Sequence, residues 1–295
     1  MTELRTLRLI TFGASPVTAA GTLHGSFEKQ GLEIDHTETP NSTEQMRGIG
    51  NGNWDIASTA FDNVLAWSGR EGAEIVAIAT AAAGVVLPVV VRPEINDWED
   101  LRGKPLAVDA IDTAYALVLR RILLEHGLDL DHGDYELVPA GATGYRFESM
   151  ERGETYAAIM NPPWNERAIK SGMKDFGDHR QVLPNYPGGT YAITRQFGEE
   201  NRDAVVGFLR GLHDAAEWLH NPATADLAAE RLAGENGGDA AQTKARFNRV
   251  PKDLGVTAAD LQVVLDLRVQ CDLMPPMGSD ISTYLDTSFL EQALA

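Results

Sequence analysis

The sequence predicts an α/β protein of two lobes, each a mixed, mostly parallel sheet flanked by helices, with two hinge crossings between them. Three observations point there. Strand-like and helix-like segments alternate along most of the chain, the pattern that lays helices over parallel sheets. Two linker-like stretches, near Glu94 and near Pro187, divide that alternation. A length of 295 residues favours two units over one. The expected boundaries are 1–92 plus 189–295 for lobe I and 93–188 for lobe II, with a cleft between them.

Leu7, Leu9 and Thr11 alternate with Arg8, Ile10 and Phe12 and predict a buried first strand running into Gly13. Ser15-Pro16 opens a helix, with proline in the first turn where its missing N–H costs nothing. Gly31 ends that helix, and Leu32 to Glu38 alternates as a second strand. Ser42 and Gln45 have the spacing of a capping box for a short helix ending at Gly48 or Gly50. Asp55-Ile56-Ala57 is a short strand that turns through Ser58–Asn63 into a helix reaching Ser68. The apolar runs Ile75–Ala81 and Val85–Arg92 read as buried strands.

After the linker at Pro93–Asp100, Lys104–Asp109 is a strand and Thr113–Glu125 a helix closed by Gly127. Tyr135–Val138 is a strand, Tyr145–Arg152 a helix, Tyr156–Met160 a strand, and Asn161-Pro162-Pro163-Trp164 begins another helix. Tyr191–Thr194 is the last strand. The remainder is helical: Val205, Leu209, Leu212, Ala216 and Leu219 step by three and four along one face, and Thr257 and Asp260 start a helix carrying Leu261, Leu265 and Val269.

The charge balance is 25 basic against 43 acidic residues, net −18. Such a surface repels phosphate backbones and anionic lipid, so neither nucleic acid nor a membrane is an expected partner. The most apolar stretch, Ala77 to Val91, is interrupted by Gly84 and Pro88 and is shorter than the roughly 20 residues a membrane span needs. The opening residues carry Glu3, Arg5 and Arg8 and do not read as a signal peptide. As it stands the sequence reads as cytoplasmic, or as periplasmic or extracellular if a signal has been removed. Cys271 is single and reads as a small apolar side chain.

Several segments together resemble one family. Phe27-Glu28-Lys29-Gln30-Gly31-Leu32-Glu33-Ile34 resembles its "FEKEGLDV" segment, and Gly52-Asn53-Trp54-Asp55-Ile56-Ala57 its G-x-x-D-x-A step. Asp100-Leu101-Arg102-Gly103-Lys104-Pro105-Leu106-Ala107-Val108 resembles "DLKGKKVAV". Arg152–Ala158 resembles "xGEVDAA", with Tyr156 where the family usually has Asp, and Tyr284–Leu290 its closing segment. The family is the substrate-binding proteins of ABC importers for nitrate, sulfonate, taurine and related compounds, which also includes pyrimidine-precursor synthase-like proteins. The resemblance implies the periplasmic-binding-protein type II fold, a small-molecule ligand between the lobes, and an ABC permease as partner.

Ligands in open α/β sheets sit at the carboxyl ends of strands, where helix N-termini offer free N–H groups. Four turns qualify, and the resemblance assigns ligand contacts to them: Ser15 and Thr18 in the first, Thr59, Phe61 and Asp62 in the second, Asp112, Thr113 and Tyr115 in the third, Asn161 and Trp164 in the fourth. Gly189 and Thr190 line the hinge. Ser15, Asp112 and Thr113 equally suit helix caps, and Phe61 a core. Trp164 offers apolar area and an N–H donor. Basic residues are scarce in these turns; Arg146 is the nearest candidate for holding a carboxylate or sulfonate. With Phe61, Tyr115 and Trp164 available, an aromatic or medium-sized organic ligand fits better than nitrate.

No HExxH, phosphate-binding glycine loop or Gly-x-Ser-x-Gly elbow occurs, so no metal or nucleotide is expected. Lys29, Lys104, Lys170, Lys174, Lys244 and Lys252 all fall outside the four turns, and the cysteine-rich motif of the pyrimidine-synthase relatives is missing, so no pyridoxal-type cofactor is expected either. The main expectation is a binding protein. The alternative is a cofactor-independent lyase on the same fold, decarboxylase- or dehydratase-like, with Asp62 or Asp112 as acid/base.

Overall fold

The computed structural model describes residues 3–13 and 15–295. Along the chain run β1 (Arg5–Thr11), α1 (Pro16–His24), β2 (Leu32–Glu38), α2 (Ser42–Gly50), β3 (Ile56–Ala60), α3 (Phe61–Trp67) and β4 (Ile75–Thr80). Then come β5 (Pro88–Val91), β6 (Pro105–Val108), α4 (Tyr115–Glu125), β7 (Glu136–Pro139), α5 (Thr143–Glu151), β8 (Ala157–Ile159), α6 (Trp164–Lys170) and β9 (Lys174–Asp178). The chain closes with β10 (Gly189–Thr194), α7 (Arg195–Glu200), α8 (Arg202–His220), α9 (Ala225–Asn236), α10 (Ala240–Ala245), α11 (Ala258–Gln270) and α12 (Ser288–Leu294).

Two five-stranded sheets form, in the orders β2-β1-β3-β10-β4 and β7-β6-β8-β5-β9. They are built alike. In each, the strand arriving from the other lobe (β10 in the first, β5 in the second) lies antiparallel to both neighbours, while the other strands run one way. The ends of β1, β3 and β4 therefore share an edge with the start of β10, and that edge faces the corresponding edge of the second sheet.

The expected boundary at 92/93 is corrected here. β5 pairs with β8 and β9, so the first crossing lies between Thr80 and Pro88. The Val-rich run of β5 is buried on both faces, and such a run carries no mark of which sheet it joins. The second crossing, between Asp178 and Gly189, brackets the expected one. Three local readings also change. The cap of α2 is Asn41, whose side chain accepts from the Glu44 N–H, instead of Ser42. β9 has no expected counterpart. On α11 the buried residue is Arg268, and Val269 is 39 % exposed.

One apolar cluster runs through both lobes, joining Phe61 and Val64 of α3 to Val89, Leu106 and Leu117, with Leu261 and Leu265 of α11. The C-terminal helix α11 thus straddles the lobes, packing on both α3 and α4. Lobe I has a second cluster under α1 and α8, and lobe II a small one around Phe147, Met150 and Met160. Among the described residues no helix is long and apolar enough to cross a membrane.

A histidine ties the two crossings together. His179 is 1 % exposed, and its Nδ1 accepts the Leu87 N–H at 3.3 Å, so the neutral ring with hydrogen on Nε2 is required. Burial pulls its pKa below the ordinary 6.5; Asp178, 4.0 Å away, opposes that, and Arg180 adds to it. A histidine with a depressed folded pKa binds fewer protons folded than unfolded, so stability falls as pH drops below 6.5 toward the folded value. The loss reaches at most about 1.4 kcal/mol per pH unit in that window. Unfolding at pH 7.5 and 5.5 measures it, and His179→Asn, which keeps an acceptor without a proton site, is expected to remove His179's part of the difference.

Candidate functional site

The facing sheet edges carry the four turns. In lobe I, Thr18 on α1 is buried, with its hydroxyl 3.3 Å from the Tyr191 hydroxyl; Ser15 at the helix entrance is half-buried and also hydrogen-bonds Tyr191. Thr59 at the end of β3 accepts from the Asn63 side-chain amide at 2.8 Å. Gly189 and Thr190 pair with Ala60 and Thr59, which places the start of β10 beside the second turn. The Thr190 hydroxyl is buried with no hydrogen-bond partner and lines a hollow of about 660 Å³ between the crossings and the start of α11, together with Tyr186, Leu183 and Val256.

Three expected ligand positions are otherwise engaged. Phe61, first residue of α3, sits in the main apolar cluster near Ile10 and Met46 and presents no open face. Asp62 is 1 % exposed and forms an ion pair with Arg268 at 3.0 Å while accepting the Ala114 N–H. Burial pushes its carboxyl above the ordinary value, against the Arg268 charge and the Ala114 hydrogen bond. Asp112 is a part-exposed partner of Arg70 at 3.1 Å. Asp62 is thus enclosed with its partner, whereas Asp112 stays open to solvent beside Arg70.

Lobe II holds a different group. Arg146 on α5 is 3 % exposed, yet among the described residues its guanidinium makes one hydrogen bond, to the Thr143 hydroxyl at 2.7 Å, and its Nε has no partner. Burial lowers its pKa; Asp109 and Tyr115 raise it. Tyr115 on α4 is half-buried and hydrogen-bonds the Asn161 side chain, and burial lifts its phenol above the ordinary value against the Arg146 charge. Asn161 leaves its Oδ1 buried and unpartnered, as does Asn165 one turn on. Arg146, Tyr115 and Asn161 therefore form one cluster with hydrogen-bonding capacity left over. Trp164 lies at its edge, 5.7 Å from the Phe147 ring and stacked under Arg167, and it packs so closely on Gly144 that a Cβ there would come within 2.9 Å. Thr113 is buried against Ser42, hydroxyl to hydroxyl at 3.5 Å.

The cleft is shut along one side. The Asp109 carboxylate accepts the Ser42 N–H at 3.0 Å, and Pro40 C=O accepts the Ala142 N–H at 2.8 Å. A second hollow of about 510 Å³ opens beside this seam, lined by Asn41, Glu44, Arg47, Asp109 and Asp112. Sequence reasoning missed Arg268 and Tyr186. Tyr186 is buried at the second crossing within reach of Asp62 and Tyr115, both of which push its phenol upward beyond the effect of burial. Arg268 had a signal: it falls on the stripe of Leu261, Val264 and Leu265, where a charge implies a buried partner. Among the described residues no cluster of His, Cys, Asp and Glu is arranged to hold a metal ion.

The model of a family described as NMT1-like matches residues 9–233. No curated protein matches the sequence. The alkanesulfonate-binding protein SsuA of Xanthomonas axonopodis pv. citri, solved with MOPS, superposes with a TM-score of 0.77 at 16 % identity, over 97 % of this chain and 99 % of its own. The periplasmic nitrate-binding protein NrtA of Synechocystis PCC 6803 does so with 0.77 at 10 % identity, over 99 % and 88 %. A Candida albicans protein described as having the generic periplasmic binding protein fold gives 0.76 at 12 % identity, over 96 % and 97 %. At such identities the likeness is one of fold, and the fold is the two-lobed periplasmic-binding-protein type II arrangement.

Proposed function

The chain belongs to the NMT1-like family, and from that footing we propose that it binds a small organic anion, of the sulfonate or aromatic-acid class, in the interlobe cleft. The observation that carries this reading is Arg146. A guanidinium 3 % exposed, with one neutral acceptor, an idle Nε and no ion pair among the described residues, has only the more distant Asp109 charge to set against its burial. An oxyanion on Arg146 supplies it, with hydrogen bonds that are strong because both partners are charged. Tyr115 and Asn161 beside it add a ring face and an acceptor for the organic part. The burial of Asp62 in an ion pair with Arg268 favours binding over lyase chemistry that would use it. In the role of a solute-binding protein the chain delivers this ligand to an ABC permease, on the outer side of the membrane.

Calorimetric titration with a panel of alkanesulfonates, arylsulfonates and aromatic carboxylates tests the reading. At least one compound is expected to bind at one equivalent and be recovered unchanged. Arg146→Ala is expected to weaken it by about 10- to 150-fold, the range of a lost hydrogen bond to charge. Consumption of a compound beyond one equivalent would establish the enzyme instead. Binding untouched by Arg146→Ala, or no binding across the panel, would refute the anion site.

A further inference from the structure

The turn between β6 and α4 is held in a backbone conformation that L-residues avoid. Ala114, the residue before α4, has φ 46° and ψ −114°. A Cβ crowds the neighbouring backbone there, so the region is populated mainly by glycine and persists at other residues only when surroundings hold it. The surroundings that hold Ala114 come from the other lobe. Its N–H donates to the Asp62 carboxylate on α3. Arg268 Nη1 donates to the same carboxylate at 3.0 and 3.3 Å and to the Asp112 carbonyl at 3.0 Å, so one guanidinium binds a lobe I acid and the lobe II turn together. Around this centre Arg70 pairs with Asp112, and Ser42 donates its N–H to Asp109.

We propose that Asp62 and Ala114 form a spring-loaded catch that sets the balance between closed and open lobes. Asp62 is the catch: it fixes the 109–114 turn to lobe I. Ala114 is the spring. When the lobes part, its N–H loses the Asp62 acceptor and the backbone is free to return to an ordinary region. Closure therefore carries a built-in opposing strain, which keeps the shut form reversible. A glycine at 114 would take the same backbone without that cost. The proposal concerns lobe closure and does not depend on which ligand the cleft takes.

The test uses the whole chain without ligand. Ala114 is the N-cap of α4, where glycine is already preferred over alanine, so the strain is read from the part of the gain that depends on Asp62 and from amide exchange. Ala114→Gly is expected to raise Tm by about 3 °C, to slow amide exchange across 109–114 at least threefold, and to leave the small-angle-scattering radius of gyration equal or smaller. In Asp62→Asn, where the charge of the catch is gone, the gain from Ala114→Gly is expected to shrink by more than half. A lower Tm with unchanged exchange in Ala114→Gly would overturn the spring, and it decides the matter even if Asp62→Asn does not fold. An equal gain with and without Asp62 would overturn the catch.

Discussion

Replacing Arg268 with alanine is expected to cost about 3–5 kcal/mol, a large part of the stability of an ordinary domain. The side chains of Arg268 and Asp62 are 2 % and 1 % exposed and lie 3.0 Å apart. Removing the guanidinium leaves a carboxylate inside the protein with one backbone N–H for company. The variant also loses the hydrogen bond to the Asp112 carbonyl, and with it a tie between the lobes. The pH dependence gives the cause away. Burial already raises the Asp62 carboxyl, and the Arg268 charge is the chief force holding it down. Without Arg268 the folded pKa climbs further, so the folded state binds the extra proton and the variant regains stability as pH falls below that value. The double replacement Asp62→Leu with Arg268→Met is expected to recover most of the loss, because it removes the charge instead of stranding it. Denaturant unfolding of the unmodified chain and of both variants at pH 7.5 and 5.5 tests this. A loss below 1 kcal/mol in Arg268→Ala, flat with pH, would mean that water reaches Asp62.

Gly188→Ala is expected to cost about 3 kcal/mol, at the upper end for overpacking. At Gly188 the two crossings touch backbone to backbone. A Cβ there would lie 2.0 Å from the Ala82 carbonyl oxygen and 2.8 Å from the Gly84 nitrogen. Backbone cannot turn aside as a side chain does. The crossings must separate, and the hydrogen bonds from the Ala81 and Ala82 N–H groups to the Gly189 carbonyl stretch with them. Because both lobes hang from these segments, the variant is also expected to change the lobe angle, readable as a larger radius of gyration. Gly234→Ala is the control: it sits in α9 with nothing within 4 Å of the added carbon, and should gain about 0.5–1 kcal/mol from helix propensity. If Gly188→Ala unfolds at the same denaturant concentration as the unmodified chain, the close approach of the crossings is wrong.

Much of the fold was legible because its signals are short-range. Alternation in Leu7–Thr11 and the Pro16 start of α1 act within a turn or a strand and stand where the pattern puts them, whereas α1 ends at His24, capped by Gly25, and not at Gly31. Among the readings that failed along the chain, the lobe of β5 and the cap of α2 depend on a choice between near-equal local options. A run of valines suits either sheet, and Asn41 and Ser42 are adjacent residues that both cap well. The candidate site divides the same way. Arg146 was identifiable as the basic residue closest to the turns, and the turns themselves follow from the rule that parallel strands end on one edge. The roles within the turns were not. Asp62 carries the same local sequence whether it faces a ligand or a cation, and the cation is 206 positions away.

The sequence by itself determined the order of elements apart from β9, the α/β class and the acidic balance, because hydrophobic period, proline and glycine geometry and net charge need no distant partner. Tertiary structure alone decided which sheet each strand joined, that α11 straddles the lobes, that Asp62 is spent on Arg268, and that Arg146 is buried with no ion pair among the described residues. These depend on which groups lose water together. A side chain's charge is readable in one dimension, but its desolvation and its partner exist only once the chain has closed in three.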